Sequence, residues 1–228
     1  MSTSAPPPAS LSTQRNLRPW YLILAMICSW FAGVVGLSDS FAKLMFLREN
    51  NVPDVDALIA ALPSEVEPMQ ALATLFESAY LRAMCEAAKV AFPLHVGKLI
   101  LSVLLVITSA MAMSGRPNSR SITIQAHLAN AALAVVTFWL LRDVRYAAID
   151  VLQMVRPALP SMLSAHPADL IQVAVTIYSK SSLLWGHRIG LILFGVGLPL
   201  LGVWALSTQK TKAFFDAVAA ATEDTEDL

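Results

Sequence analysis

Residues 182–207 form an apolar run of 26 residues whose single charged side chain, Arg188, lies in the first two helical turns. An α-helix of this length is about 39 Å long, which exceeds the hydrocarbon thickness of a lipid bilayer, about 30 Å. A helix satisfies its own backbone hydrogen bonds, and for that reason it is the structure open to such a run in lipid. The run therefore predicts a transmembrane helix.

Three further apolar runs have a comparable length, and they cover residues 19–37, 93–114 and 121–141. Only 14% of the 228 residues are charged, whereas an ordinary soluble domain has about 25%. Run length and composition together predict an all-α integral membrane four-helix bundle with four transmembrane helices. The first run is too long for the apolar part of a cleaved signal peptide, so we interpret it as a retained membrane anchor.

Two long connections lie between the predicted spans, at residues 50–92 and 142–181. Their apolar residues recur at the i, i+3 and i+4 positions of amphipathic helices. The expected helices cover residues 55–62, about 69–83, 143–155 and 167–183, and the first span should continue as a helix to about residue 49. We predict that these outer segments pack on the bundle or lie at the membrane surface.

Short segments of the first half of the chain recur in the second half in the same order. His187 follows His95 by 92 residues, and each histidine is followed four residues later by Leu-Ile-Leu. Residues 46–49 resemble residues 140–143, and the Ala-Leu-Pro-Ser of residues 61–64 recurs at 158–161. These matches predict a duplicated unit of span, outer segment and span.

The duplication divides the chain into two repeat units, each with two transmembrane helices and an outer helical segment. The predicted organisation is a disordered N-terminal tail (1–17), a first repeat unit (18–114), a cytoplasmic turn (115–120), a second repeat unit (121–208) and a cytoplasmic tail (209–228).

Basic residues in the short segments beside the spans predict the orientation in the membrane. Cytoplasmic loops carry an excess of lysine and arginine, and short loops follow this rule best. The short segments here contain Arg15, Arg18, Arg116, Arg120, Lys210 and Lys212. We therefore expect both termini in the cytoplasm, in a plasma or inner membrane, with the two long connections outside.

His95 and His187 are the candidate cofactor ligands, because the duplication would place them at one depth in parallel helices. Two imidazoles facing each other across a bundle can bind haem or a chlorin, and Lys98 and Arg188 could then contact its propionates. Alternatively, these polar groups snorkel to the membrane interface beside Trp185, or they contact a metal or a substrate. Because neither histidine has carboxylate or cysteine companions, we predict no metal site.

Gly186, Gly190 and Gly197 are predicted to lie on one face of the fourth span. Small residues allow two helices to approach closely, so this face is a candidate helix-packing interface. The partner helix could belong to the same bundle or to another subunit.

Several functional classes lack their sequence features here. The chain has no nucleotide-binding loop, nucleophile elbow or metalloprotease helix, and no basic patch typical of nucleic-acid binding. Its two cysteines, Cys28 and Cys85, are poorly placed to form a disulfide. We predict no catalytic residues and expect a protein that is not an enzyme.

The sequence favours a structural or accessory subunit of a larger membrane complex. Its predicted partners are the lipid bilayer and other membrane subunits or a second copy of the chain. Two alternatives stay open: a tetrapyrrole-binding redox or light-harvesting subunit, and a small-molecule transporter or channel.

Overall fold

The computed structural model describes residues 18–49, 52–61, 68–116, 118–162 and 167–226. Every regular element in these ranges is helical. In chain order the helices are α1 (Trp20–Glu49), α2 (Val55–Ala61), α3 (Pro68–Glu86), α4 (Ala88–Ser114), α5 (Ser119–Leu140), α6 (Arg142–Val155), a 3-10 turn (Arg156–Ala158), α7 (Leu159–Met162), α8 (Ala168–Ile177), α9 (Lys180–Gly190), a π-helix (Leu191–Gly197), α10 (Leu198–Ser207) and α11 (Gln209–Glu226).

Four helices are long and apolar enough to cross a membrane: α1, α4, α5 and the fourth long helix, Lys180–Ser207, which consists of α9, the π-helix and α10. They cover the four apolar runs of the sequence, which confirms the all-α prediction. The first helix continues to Glu49, as its spacing predicted. The predicted disordered tail of residues 1–17 and the expected helix end at Pro63 lie outside the described residues.

The chain forms two compact units, whose bounds differ from those of the predicted repeat units. The first unit comprises Met1–Ser38, Leu99–Ala132 and Val196–Leu228, and the second comprises Asp39–Lys98 and Leu133–Gly195. Each boundary falls inside one of the four long apolar helices. Each unit has a hydrophobic core of its own.

The core of the first unit includes the C-terminal segment. Phe214 and Phe215 of α11 are buried against Leu22 and Met26 of α1 and Leu206 of α10. Residues 209–228 were predicted only as a tail, but most of them form an 18-residue helix. Two aromatic side chains bury a large apolar area, and this burial attaches the helix to the unit.

In the second unit the two amphipathic helices α3 and α6 pack against each other. Their apolar faces meet in a cluster that includes Leu72, Leu75, Ala79, Ala148, Leu152 and Val155. These residues follow the spacing that predicted both amphipathic helices, so the two helices are confirmed. Their packing against each other was not predicted. A second cluster joins Leu47 of α1 and Leu94 of α4 to Met84, Leu141 and Val144.

The single helix predicted over residues 167–183 is wrong. Helix α8 ends at Ile177, and α9 begins at Lys180. Ser179 adopts an extended backbone conformation, and its hydroxyl accepts a hydrogen bond from the backbone N–H of Ser182 at 3.3 Å. Serine favours this N-cap position because its oxygen satisfies an N–H that lacks a partner within the helix. The cap therefore starts the fourth long helix.

The fourth long helix changes its winding at Leu191–Gly197, where it forms a π-helix. Such segments are rare and occur frequently at functional sites. Pro199 follows at the second residue of α10. Since proline lacks an N–H, it cannot complete an ordinary helical hydrogen bond at this point. The change of helix type therefore lies directly before the helix that contains this proline.

The turn between α4 and α5 requires left-handed backbone conformations. Gly115 has φ +73°, and Asn118 has φ +64°. Glycine and asparagine tolerate this region better than other residues. A larger side chain at Gly115 would therefore strain the turn.

Candidate functional site

The second unit contains a pocket of about 310 Å³ between the end of α5, the start of α6 and the first turns of α9. Three arginines and one histidine line it: Arg142, Arg145, Arg188 and His187. The pocket is thus rich in positive charge and hydrogen-bond donors. No carboxylate is among its lining residues.

Apolar and aromatic side chains form the other walls of this pocket. Phe138 and Trp139 come from the last turn of α5, Tyr146 from α6, and Leu184 from α9. Trp139 and Tyr146 are exposed. The pocket therefore combines a cationic side with an apolar one, which suits an amphipathic ligand better than a fully polar one.

Arg145 connects α6 to the end of α5. Its guanidinium donates a hydrogen bond to the backbone oxygen of Phe138 and lies 3.8 Å from the centre of the Phe138 ring. The last carbonyl groups of a helix lack partners within it, so Arg145 caps α5. Burial lowers the pKa of Arg145 below its ordinary value, although the side chain stays charged at neutral pH.

The arginines of the pocket differ in how far their charge is balanced. Arg142 pairs with the exposed Asp143 at 3.3 Å. Arg145 and Arg188 form no ion pair with any described residue. The guanidinium of Arg188 lies 5.3 Å from the ring centre of Trp185, a cation–π contact that leaves its charge uncompensated.

The four predicted cofactor-binding residues occupy two different surroundings in the second unit. His187 and Arg188 line the pocket, and the His187 ring stacks on Phe76 with 5.9 Å between ring centres. His95 and Lys98 do not line it. The structure therefore brings His187 and Arg188 into one site, whereas His95 is buried away from this pocket and Lys98 pairs with Asp39.

His95 is 3% exposed, and neither of its ring nitrogens has a hydrogen-bond partner among the described residues. A buried imidazole usually finds a partner, because an unpaired polar group inside a protein costs free energy. His95 is therefore an imidazole with unused hydrogen-bonding capacity.

Lys98 belongs to a charged cluster. Its ammonium lies 2.8 Å from Oδ2 of Asp39, and the ammonium of Lys43 lies 2.8 Å from Oδ1 of the same carboxylate. Lys43 also lies 5.7 Å from the ring centre of Tyr80, whose pKa burial raises above its ordinary value. The four-residue spacing of Asp39 and Lys43 predicts their pairing. Nothing in the sequence indicates that Lys98, 59 residues from Asp39, joins them.

The three glycines of the predicted packing interface differ in their surroundings. A Cβ added to Gly186 or Gly190 would meet no heavy atom of the described residues within 4 Å, so neither glycine packs against another described helix. Gly197 is partly buried and ends the π-helix. The prediction of one shared face assumed continuous α-helical winding. Because a π-helix turns less per residue, Gly197 is rotated away from the line through Gly186 and Gly190.

The glycines that form close contacts within the chain were missed. In the first unit a Cβ on Gly33 would lie 2.8 Å from Val106, and one on Gly36 would lie 2.6 Å from the hydroxyl of Ser102. In the second unit a Cβ on Gly195 would lie 3.3 Å from that of Ala134. The three-residue spacing of Gly33 and Gly36 in an apolar run is a signal that could have identified the first contact.

No cluster of three or more potential metal ligands occurs among the residues with described positions, and both cysteines are free thiols. Comparison with protein-family models, with curated proteins and with solved structures finds no match to this chain.

Proposed function

We propose that this chain is an integral membrane protein that acts as a structural or accessory subunit of a larger membrane assembly. In this proposal the four long helices cross a plasma or inner membrane, and both termini lie in the cytoplasm. The subunit contributes packing surface to its partners and performs no catalysis itself.

Exposed apolar side chains on the long helices support membrane insertion. Ile100, Phe194 and Trp204 are 61%, 73% and 59% exposed. Large apolar patches are unfavourable in water, whereas lipid tails accommodate them without cost. The length of each long helix also matches the hydrocarbon core.

The observation that carries the subunit proposal is the open surroundings of Gly186 and Gly190. Glycine inside a helix costs about 1 kcal/mol relative to alanine. Gly33, Gly36 and Gly195 offset this cost with close contacts inside the chain, but Gly186 and Gly190 have no such contact with the described residues. Small residues with open space around them on an apolar helix would allow a helix from another chain to approach closely.

The test compares Gly190→Leu with Ala132→Leu, a matched control at an exposed small residue of α5. Native gels and cross-linking in membranes measure assembly. We expect Gly190→Leu to reduce the assembled fraction, because a leucine would hold the partner helix away. Ala132→Leu and Gly190→Ala should assemble like the wild type. Equal assembly of all four proteins would remove the interface argument.

His95 favours a second candidate function, a tetrapyrrole-binding subunit. Its buried nitrogens without partners have the chemistry of an axial ligand. An absorbance spectrum of the protein purified from membranes tests this function. A haem or chlorin band that His95→Ala shifts or removes would support it, and a spectrum with the protein band alone would exclude it.

A further inference from the structure

We propose that the pocket between α5, α6 and α9 binds the phosphate head group of an anionic phospholipid. The inference goes beyond a structural role and rests on the membrane insertion proposed above. It assigns a ligand to Arg145 and Arg188, the two pocket arginines whose charge has no partner among the described residues.

The hydrogen-bonding capacity of the two arginines points to an anion. A guanidinium has five N–H donors in a planar fork that matches phosphate and carboxylate oxygens. Arg145 uses part of this fork to cap α5 through the Phe138 carbonyl. Arg188 donates no hydrogen bond to a described residue, and its guanidinium carbon lies 5.3 Å from the centre of the Trp185 ring. Most of the donors of both side chains are therefore available to a ligand.

The aromatic residues around the pocket favour a lipid as the source of that anion. Trp139, Tyr146 and Trp185 are all exposed, and tryptophan and tyrosine are enriched where membrane proteins meet the lipid head groups. Arg142 begins the segment that follows the third long helix, and Arg188 lies two turns inside the fourth. In an inserted protein, the pocket would therefore lie at the level of the phosphates.

The size of the pocket matches a head group rather than a whole lipid. Its volume of about 310 Å³ is near the lower limit of small-molecule sites, roughly 300 Å³. Acyl chains would have to lie outside, against exposed apolar side chains such as Val135, which lines the pocket and is 46% exposed. A free polar anion would leave this apolar wall unused, so the walls favour an amphiphile.

The experiment measures the thermal unfolding midpoint of the purified full-length protein in neutral detergent. The probes are phosphatidylglycerol, phosphatidylcholine and inorganic phosphate, each titrated at constant ionic strength. The variant is Arg188→Gln, because the Arg188 side chain donates no hydrogen bond to any described residue whose loss would destabilise the fold. The control is Arg48→Gln, which removes an exposed arginine of the second unit that does not line the pocket.

We expect phosphatidylglycerol, and not phosphatidylcholine, to raise the midpoint of the wild type. The apparent dissociation constant should increase about tenfold in Arg188→Gln, as for the loss of one charge-assisted hydrogen bond, and stay unchanged in Arg48→Gln. If Arg188→Gln fails to fold, Arg188→Lys takes its place. Lysine keeps the positive charge but lacks the planar set of guanidinium donors, so the affinity of Arg188→Lys for phosphatidylglycerol should lie between those of the wild type and Arg188→Gln.

Two results would overturn the proposal. One is an equal response of Arg188→Gln and Arg48→Gln to phosphatidylglycerol, since this would mean attraction to any basic surface. The other is stabilisation by inorganic phosphate that phosphatidylglycerol does not compete with, since the ligand would then be a soluble anion. Alkaline carbonate extraction of membranes tests insertion separately. A protein that resists extraction but fails the lipid test would leave the proposed membrane role intact.

Discussion

A Cβ placed on Gly202 would lie 2.5 Å from Cε1 and 2.5 Å from Nε2 of His127. The imidazole of α5 therefore packs directly on the backbone of α10, in the first unit. His127 is 1% exposed, and neither ring nitrogen has a hydrogen-bond partner among the described residues. Its role here is to fill space against a glycine, and no larger residue fits at position 202 without displacement.

Gly202→Ala should therefore destabilise the protein by about 1–3 kcal/mol, the usual cost of overpacking. The added methyl group meets a rigid ring, which cannot rotate away as a flexible chain end can. Thermal unfolding in detergent measures the effect. The control, Gly186→Ala, should be neutral or stabilising, because the surroundings of Gly186 are open and alanine is the better helix former.

A double-mutant cycle with His127→Ala checks the cause of this effect. If the clash with the ring is responsible, Gly202→Ala should cost less free energy of unfolding in the His127→Ala background. An unchanged cost would mean that the backbone at position 202, rather than the contact, resists substitution.

Asp39→Asn should destabilise the protein more than Asp150→Asn. Asp39 lies between the ammonium groups of Lys43 and Lys98, and its loss leaves two cations close together. Asp150 pairs with Lys180 alone at 2.6 Å, and both side chains are 51% exposed. We expect a loss of about 2 kcal/mol for Asp39→Asn, between the value of about 1 for an exposed pair and roughly 3–5 for a buried one.

Chemical or thermal unfolding of both variants at low and high salt provides the measurement. The small effect of Asp150→Asn should decrease further at high salt, because salt screens exposed charges. If both variants lose equal stability, the cluster around Asp39 behaves as an ordinary surface pair.

Ser179→Ala should weaken the start of the fourth long helix by about 1 kcal/mol, the typical contribution of an N-cap side chain. Ser181→Ala is the matched control, since among the described residues its hydroxyl has a hydrogen bond with the Ser179 hydroxyl alone, at 3.3 Å, and does not cap a backbone N–H. Hydrogen exchange of the first amides of α9 is the sensitive measurement, and it should accelerate in Ser179→Ala alone. An unchanged exchange rate at Ser182 would argue against the cap.

The sequence predicted the long helices well because their signals are local. An apolar run of about 20 residues with at most one charge has few alternatives to a helix, and it predicted the bounds of α5 to within two residues. Amphipathic spacing predicted the bounds of α6. The break at Ser179 carried a signal as well, a serine before an apolar run. The prediction of one helix over residues 167–183 did not use that signal.

Other features depend on contacts distant in the sequence. Nothing near Leu191–Gly197 specifies a π-helix, because a hydropathy pattern does not distinguish the two windings. The helical C-terminal segment is held by Phe214 and Phe215, but its charged ends resemble those of a mobile tail. In the candidate site, His187 and Arg188 line one pocket. The sequence analysis named both as cofactor-binding residues, and that role stays a prediction. Arg142 and Arg145 join them only through the packing of α6, which the sequence does not show.

The duplication of the chain stays a prediction. Both halves have the same order of long helix, outer helices and long helix. In the matching Ala-Leu-Pro-Ser segment of residues 61–64, only Ala61 is among the described residues. A difference in membrane depth between His95 and His187 would contradict the repeat.

The last prediction concerns the orientation, which Cys85 can report because it lies in the first outer connection. In a Cys28→Ala background Cys85 is the remaining thiol. We expect it to react with a membrane-impermeant maleimide in intact cells, since both termini should be cytoplasmic. Reaction only after the cytoplasmic face is opened would mean the inverse orientation.

The labelling rate should also depend on pH in a defined way. Burial first, and then the Glu86 carboxylate, raise the pKa of the Cys85 thiol above its ordinary value. The thiolate is the reactive form, so between about pH 7 and pH 8 the rate should increase about tenfold per pH unit.

Glu86→Gln removes a negative charge that opposes the thiolate, and it should accelerate labelling of Cys85 by lowering the pKa of its thiol. Glu77→Gln, an exposed position of the same helix, should leave the rate unchanged. Glu86→Gln can accelerate labelling only if the reagent reaches α3. Faster labelling in this variant would therefore show that Cys85 is accessible but slow to react, and no labelling of either protein would place it on the protected side of the membrane.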